Sequence, residues 1–335
     1  MRSILVIRLS SMGDVILATP LVRQLRATYP DAQIDVAVAE RFSDVWRNNP
    51  RVSNVWAVPE QMPNQSYDLV VDLQGNARSR TVRTSIAGKT VRIRKHRLEK
   101  LALVYLKRRP PVVTPITTRY RNAVAQLPLL VDADGPEVWL PEDAAAGGEY
   151  KPPYTARKRD YTHQPTQGEL RIAVAPGAHH YTKRWPAERF AALCKGLVDQ
   201  GASVVLVGGP NDVELCKAVA IASGVSVVNR AGARSVQDTA RILDTCELLV
   251  TNDTGVMHLA SARRIPIVAI FGSTVGDLGF APYGVPHTIV EYTIACRPCT
   301  HIGRASCPRG HFLCMHGVSV DMVLNATNDL LQRNN

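Results

Sequence analysis

The sequence predicts an α/β protein of two doubly wound units in tandem, each a parallel sheet covered by helices on both faces. Three observations lead there. Short apolar runs alternate with helically spaced segments in both halves of the chain. The composition changes between about residues 142 and 169, where Gly147-Gly148 and Pro152-Pro153 stand among mixed charges with little periodicity. A length of 335 residues also exceeds what one core usually organises, at roughly 100–200 residues per domain.

The elements follow in order. Residues 4–7 are an apolar run that Arg8 ends, a buried first strand rather than part of a leader. After Leu9-Ser10-Ser11-Met12-Gly13-Asp14, helical spacing over 15–29 predicts a helix that Pro30-Asp31 stops. Residues 34–39, 55–58 and 67–73 read as further strands of a first unit over 1–150. Residues 151–170 form the linker. In the second unit, 171–318, strands fall at 171–175, 203–207, 226–228, 248–251 and 267–271, and helices at 187–200, 212–222, 235–245 and 255–262. Residues 319–335 are a terminal helix whose Val320, Val323, Leu324, Leu330 and Leu331 suit docking on one of the units.

Composition narrows the function. No apolar run approaches the ~20 residues that span a bilayer, and no leader pattern opens the chain, so a water-soluble, cytoplasmic protein is expected. The formal charge is +11, and residues 78–121 hold fourteen Lys or Arg against one acid, Glu99. A field of one sign attracts phosphates, nucleic acid or an acidic membrane surface, or only keeps the chain soluble. Seven cysteines are an odd number without a secretion signal, which points to reduced thiols. Four of them, Cys296, Cys299, Cys307 and Cys314, match the count of a structural zinc site; their irregular spacing fits small apolar packing residues as well.

In open parallel sheets ligands bind beyond the carboxyl ends of the strands, so the loops there are the candidate sites. In the first, Gly13 allows a close turn beside Ser11, and Asp14 is either a general base or a helix cap. In the second, 176–186, Thr182 and Lys183 supply a hydroxyl and a cation for a phosphate, although the spacing is not that of a Walker loop. In the third, Asp253, Thr254 and Gly255 open a helix whose amides could hold a diphosphate without a metal, with His258 one turn on, as a ligand or as a structural histidine. Asp212, after Gly208-Gly209-Pro210, is a ribose acceptor or a cap. Neither half carries the spaced glycines of dinucleotide binders, which disfavours a nicotinamide enzyme.

Taken together, Ile7-Arg8-Leu9-Ser10-Ser11-Met12-Gly13-Asp14, Asp72-Leu73-Gln74-Gly75-Asn76, Lys183-Arg184-Trp185-Pro186, Asn252-Asp253-Thr254-Gly255 with His258, Phe271-Gly272-Ser273-Thr274 and the cysteine-rich tail resemble the ADP-heptose:lipopolysaccharide heptosyltransferases of glycosyltransferase family nine. The resemblance covers most of the length. It implies a GT-B fold, two Rossmann-like domains facing across a cleft, and an inverting enzyme that needs no metal or other cofactor. By the resemblance Asp14 deprotonates the acceptor, while Lys183, Thr254 and Gly255 hold the diphosphate of an ADP-heptose or related nucleotide-sugar donor, with Asp253 and His258 in the same loop. Asp212 falls at the ribose position, one carbon shorter than the family's usual Glu. The implied partners are an anionic glycolipid acceptor, met by Ser11, Gly13, Arg78, Arg80, Arg119 and Arg121, and the inner membrane surface, touched peripherally.

Three other readings remain. A family-nine-like enzyme with another sugar nucleotide or acceptor is the nearest. A non-catalytic nucleic-acid-binding protein would explain the pI near 9.5, but no such module or aromatic platform is visible at 6% aromatic residues, so nucleic acid is not an expected partner. A nucleotide-sugar epimerase of the same architecture is the third.

Overall fold

The computed structural model describes residues 1–145, 150–152 and 170–333. The chain forms two compact units. The first holds Met1–His96 and Thr114–Lys151, and the second holds Arg97–Val113 with the described residues from Pro152 on. The expected linker at 151–170 lies almost wholly outside the described residues. The expected boundary also differs in one respect, because Arg97–Val113 joins the second unit. The cause is hydrophobic: Leu103 is buried with Val275 and Leu278.

In the first unit, β1 (Ser3–Ile7), β2 (Gln33–Ala39), β3 (Asn54–Val58), β4 (Leu69–Asp72) and β5 (Lys89–Arg92) make one parallel sheet in the order β3-β2-β1-β4-β5. Ile4, Leu5, Val6 and Ile7 are fully buried, which is why the central strand is a continuous apolar run. The expected single helix at 15–29 is two helices, α1 (Met12–Ile16) and α2 (Thr19–Thr28). Pro20 lies in the first turn of α2, and proline lacks the amide that would continue α1 and crowds the carbonyl four residues back. The unit is completed by α3 (Ala77–Thr84), α5 (Ile116–Asn122) and α6 (Pro141–Ala145). Arg23 of α2 ties down the chain after α5, donating to both oxygens of Asp132 at 2.9 and 2.7 Å and to Glu137 at 3.2 Å.

The second unit takes α4 (Arg97–Tyr105) and then repeats the plan. Its strands β6 (Arg171–Ala175), β7 (Ser203–Leu206), β8 (Val228–Asn229), β9 (Leu248–Asn252), β10 (Ile267–Phe271) and β11 (His287–Glu291) are all parallel, in the order β11-β10-β9-β6-β7-β8. The helices are α7 (Ala187–Asp199), α8 (Val213–Ser223), α9 (Val236–Leu243), α10 (Gly255–Ala262), the short α11 (Leu313–His316) and α12 (Val320–Arg333). The terminal helix α12 docks here, burying Val323 and Leu330 in the same core as Phe190 and Leu193 of α7. A side chain at Gly196 of α7 would come within 2.9 Å of the end of the Leu324 side chain, so a larger residue there would oblige Leu324 to shift.

Both strands that the periodicity missed, β5 and β11, are sheet edges. Exposed positions carrying Lys89 and Arg92, or His287, erase the apolar signature that marks a central strand.

Candidate active site

In each sheet the strand order reverses once, between β1 and β4 in the first unit and between β6 and β9 in the second. Loops that leave neighbouring strands in opposite directions open a crevice there. Nearly all the sequence-derived candidates sit beside these two points.

In the first unit Ile7 and Asp72 are partners in register at the ends of β1 and β4. Gln74 stitches the two loops together, its Oε1 accepting the Leu9 and Ser10 amides at 3.2 Å each, while Arg8 Nη1 donates to the Leu73 carbonyl at 2.6 Å. Buried Asp72 shapes its own loop by accepting the Gln74 and Gly75 amides at 3.0 and 2.7 Å and the Ser79 hydroxyl at 3.1 Å. Asp14 lies in the first turn of α1, where Oδ2 accepts the amide of Ser11 at 3.1 Å and its hydroxyl at 2.8 Å. The capping role is therefore realised. Oδ1 pairs with Arg8 Nη2 at 2.5 Å and accepts the Tyr120 hydroxyl at 3.2 Å. Burial pushes the Asp14 carboxyl up, but the Arg8 charge and the Ser11 hydrogen bonds outweigh it and hold the group below its ordinary value. Burial keeps the Tyr120 phenol well above its own. The site thus presents an ionised carboxylate between a guanidinium and a neutral phenol.

Cations surround this centre. Arg78 reaches Ser10 Oγ at 3.5 Å. Arg80, Arg83 and Arg92 line a cavity of about 510 Å³ with Gly75, Asn76, Ala77 and Thr84, next to the N-terminus of α3. Arg121 is half-buried, whereas Arg119 is buried and so does not present an exposed cation to an acceptor, a correction to the expected contact set. Sequence reasoning missed Arg83 and Arg92, as well as Arg8, Gln74 and Tyr120. Arg8 carried a signal, being the charge that ends an apolar strand, but Tyr120 comes from 106 residues away and had none.

In the second unit Asn252, at the end of β9, holds both ends of the 176–185 loop. Its Nδ2 donates to the Pro176 carbonyl at 2.8 Å and its Oδ1 accepts the Trp185 amide at 3.1 Å. Lys183, in a 3₁₀ turn over Tyr181–Lys183, meets Asp253 Oδ2 at 2.6 Å, and Thr274 donates to the same oxygen at 2.6 Å. Asp253 thereby positions the ammonium, whose remaining protons can serve an anion. Thr254 begins α10 without a side-chain cap bond, and Thr254, Gly255 and Val256 are half-exposed. A helix start of this kind offers amides and the positive end of a dipole to a phosphate.

Thr182 takes a bracing role in place of the expected contact with a donor, while His258 and Asp212 each show the structural one of their two readings. Thr182 is 1% exposed, and its hydroxyl accepts from the Arg304 amide at 2.8 Å and from Ser273 at 2.9 Å, so it braces the 304 loop rather than facing a donor. His258 is buried at 4% exposure, its ring 6.5 Å from that of Phe280, which matches the structural reading of this helical histidine. Asp212 accepts the Gly209 amide at 2.9 Å as a cap, and its carboxylate lies so close to Gly177 that an added Cβ would meet Oδ1 at 2.1 Å.

All seven cysteines are free. Burial pushes the Cys314 thiol up to about 11, and Cys299 is raised too, with neighbouring thiols adding to both. Among the described residues no group of three or more His, Cys, Asp or Glu is arranged to hold a metal ion; of the four clustered thiols Cys314 is buried, and Cys296, Cys299 and Cys307 are half-buried. Among the described residues no helix is long and apolar enough to cross a membrane.

Comparison with known proteins converges on one family. The model of "Glycosyltransferase family 9 (heptosyltransferase)" matches residues 55–307. The chain is 27% identical over 303 residues to lipopolysaccharide heptosyltransferase 2 of Escherichia coli, covering 82% of this chain and 84% of that protein. The crystal structure of the family 9 glycosyl transferase of Veillonella parvula superposes with a TM-score of 0.77 at 22% identity, over 99% of this chain and 98% of that one. The E. coli heptosyltransferase WaaC with ADP gives 0.68 at 21% identity, over 99% and 100%. The chain belongs to glycosyltransferase family 9, the heptosyltransferase family, and is a glycosyltransferase with the two parallel-sheet domains of the GT-B fold.

Proposed function

We propose that this enzyme transfers a heptose from ADP-heptose to a sugar of the lipopolysaccharide inner core, with inversion and without a metal ion. The observation that carries the reading is the Lys183–Asp253–Thr274 chain beside the uncapped start of α10, a prepared seat for a departing diphosphate. The relative's name supports the acceptor, and the ADP in the WaaC structure supports the donor.

The acceptor hydroxyl oxygen attacks the anomeric carbon as the bond from that carbon to the β-phosphate oxygen breaks. Its proton passes to Asp14, and the electron pair of the broken bond leaves with ADP, whose added charge Lys183 and the α10 amides balance. Asp212, whose Oδ2 is engaged by the Gly209 amide, accepts from the ribose through its other oxygen. Arg78, Arg80, Arg83 and Arg92 receive the carboxylates and phosphates of a lipid-linked acceptor at the membrane surface, where the protein works without spanning the bilayer.

Incubating the purified protein with ADP-heptose, and separately with other nucleotide sugars, in the presence of a core glycolipid tests this reading. Transfer from ADP-heptose that survives a chelator, with the opposite anomeric configuration in the product, is the expected result. Retained configuration, chelator-sensitive turnover or preference for another sugar nucleotide would overturn the corresponding part.

A further inference from the structure

Helix α4 has two apolar faces, and only one of them is used. Leu103 and Val104 are buried, Leu103 against Val275 and Leu278. Just past the helix, Lys107 Nζ clamps the unit by donating to the carbonyls of Val104, Cys296 and Pro298 at 2.7, 3.0 and 2.6 Å, and Arg109 pairs with Asp277 at 3.4 Å. The helix is therefore fixed to the second unit through Leu103 and the residues that follow its last turn. The outer face carries Leu98, Leu101 and Tyr105, spaced three and four residues apart and hence one stripe, with exposures of 82, 50 and 69%; Leu106 follows at 67%. With Val112 and Val113, six of the sixteen exposed large hydrophobic residues among those described fall between 98 and 113. A concentration of that kind marks an interaction surface, whereas single exposed apolar residues need no explanation.

We propose that this stripe is a membrane foot: Leu98, Leu101, Tyr105 and Leu106 enter the head-group region of an anionic lipid bilayer, with Arg97 and Arg108 holding lipid phosphates at the two ends. Charge selects the occupant. Over 97–113 the chain has five Lys or Arg and a single acid, Glu99, and an apolar stripe with a tyrosine and flanking cations is the composition of interfacial helices. A second copy of this chain would bring the same cations against each other across a twofold axis. The foot lies at the end of the unit where the donor loops are, since Val275 and Leu278 follow β10 and the neighbouring Phe280 stands against His258. A glycolipid head group would then be met beside the nucleotide sugar. For that consequence alone the inference rests on the proposed lipid-linked acceptor; the docking itself does not.

The test is flotation of the full chain with vesicles of phosphatidylethanolamine and phosphatidylglycerol, and with vesicles of phosphatidylcholine alone, using wild type, Leu98→Ser/Leu101→Ser/Tyr105→Ser and Arg97→Gln/Arg108→Gln. Wild type is expected to favour the anionic vesicles about tenfold or more. The triple variant should lose that binding at any salt, and the double variant should match wild type only once salt has weakened both. Thermal midpoints close to wild type, expected because these side chains are exposed, and unchanged ADP affinity show that the variants are folded and the donor site intact. Equal binding to both vesicle types, undiminished binding by the triple variant, or a dimer seen by light scattering that the triple variant dissolves would overturn the foot. Loss of vesicle binding with normal transfer to a water-soluble acceptor supports the foot, whereas absence of transfer from every protein would sink the proposed activity and leave the foot standing.

Discussion

Asp14 is a carboxylate with every acceptor position engaged. Arg8 and Tyr120 take Oδ1, and the amide and hydroxyl of Ser11 take Oδ2, against about four acceptor sites for such a group. An acceptor hydroxyl must replace one neutral donor, and Tyr120, which comes from a separate segment, can withdraw without undoing α1. Replacing Asp14 with Ala should lower kcat by about 10²- to 10⁴-fold with ADP affinity unchanged in a calorimetric titration; near-normal turnover would remove the base. Because the folded-state pKa of Asp14 is held below 3.8, its contribution to stability is present above that value and is lost as pH falls through the lower, folded value. The acid limb of kcat/KM in wild type should therefore lie below 3.8. In Arg8→Gln burial acts without the opposing charge, so the limb should move to higher pH; an unmoved limb would mean that Arg8 does not set the protonation of Asp14. Lys183→Ala should weaken ADP binding and slow transfer, and Thr274→Val should do both less, since Asp253 keeps Lys183 while losing only one partner.

At the scale of elements, the two switch points are held by polar side chains at strand ends, Gln74 in one sheet and Asn252 in the other. Their residue types were readable but their partners were not, because Leu9 comes beside Gln74, and Pro176 beside Asn252, only when the order of each sheet reverses. Apolar central strands were legible to within about two residues, and β6, β10 and α10 to their limits, since burial on both faces writes a continuous apolar run. Edge strands β5 and β11 were not, and the break between α1 and α2 was hidden inside a helical period that Pro20 interrupts. The far end of α10 rests on a buried pair, Arg263 donating to both oxygens of Asp244 at 2.8 and 2.6 Å with Arg263 fully buried. Arg263→Ala removes both of these bonds from a buried carboxylate and should cost about 3–5 kcal/mol in urea unfolding. A loss under about 1 kcal/mol, the range of exposed pairs, would contradict this account of how the helix is anchored.

For the whole molecule the decisive property is how charge is distributed. Fourteen Lys or Arg over residues 78–121 pointed to an anion-attracting or a solubilising surface, but the sequence could not show that the stretch is divided between two units. Arg80, Arg83 and Arg92 gather around a cavity in the first, while Arg97–Val113 goes to the second through apolar contacts made far along the chain. Screening reaches exposed charges first, with a Debye length of about 10 Å at 0.1 M salt. The KM for an anionic acceptor should therefore rise with ionic strength more steeply than the Kd for ADP, because Lys183 is only 16% exposed and the arginines are more open. Equal slopes in steady-state kinetics and ADP titration across a salt series would assign both anions to the same kind of surface. The central claim is that the diphosphate belongs to the second unit, and a crystal structure of the ADP complex tests it most directly. The account predicts the β-phosphate within hydrogen-bonding distance of Lys183 Nζ and of the Gly255 and Val256 amides; a diphosphate seated instead among Arg80, Arg83 and Arg92 would contradict it.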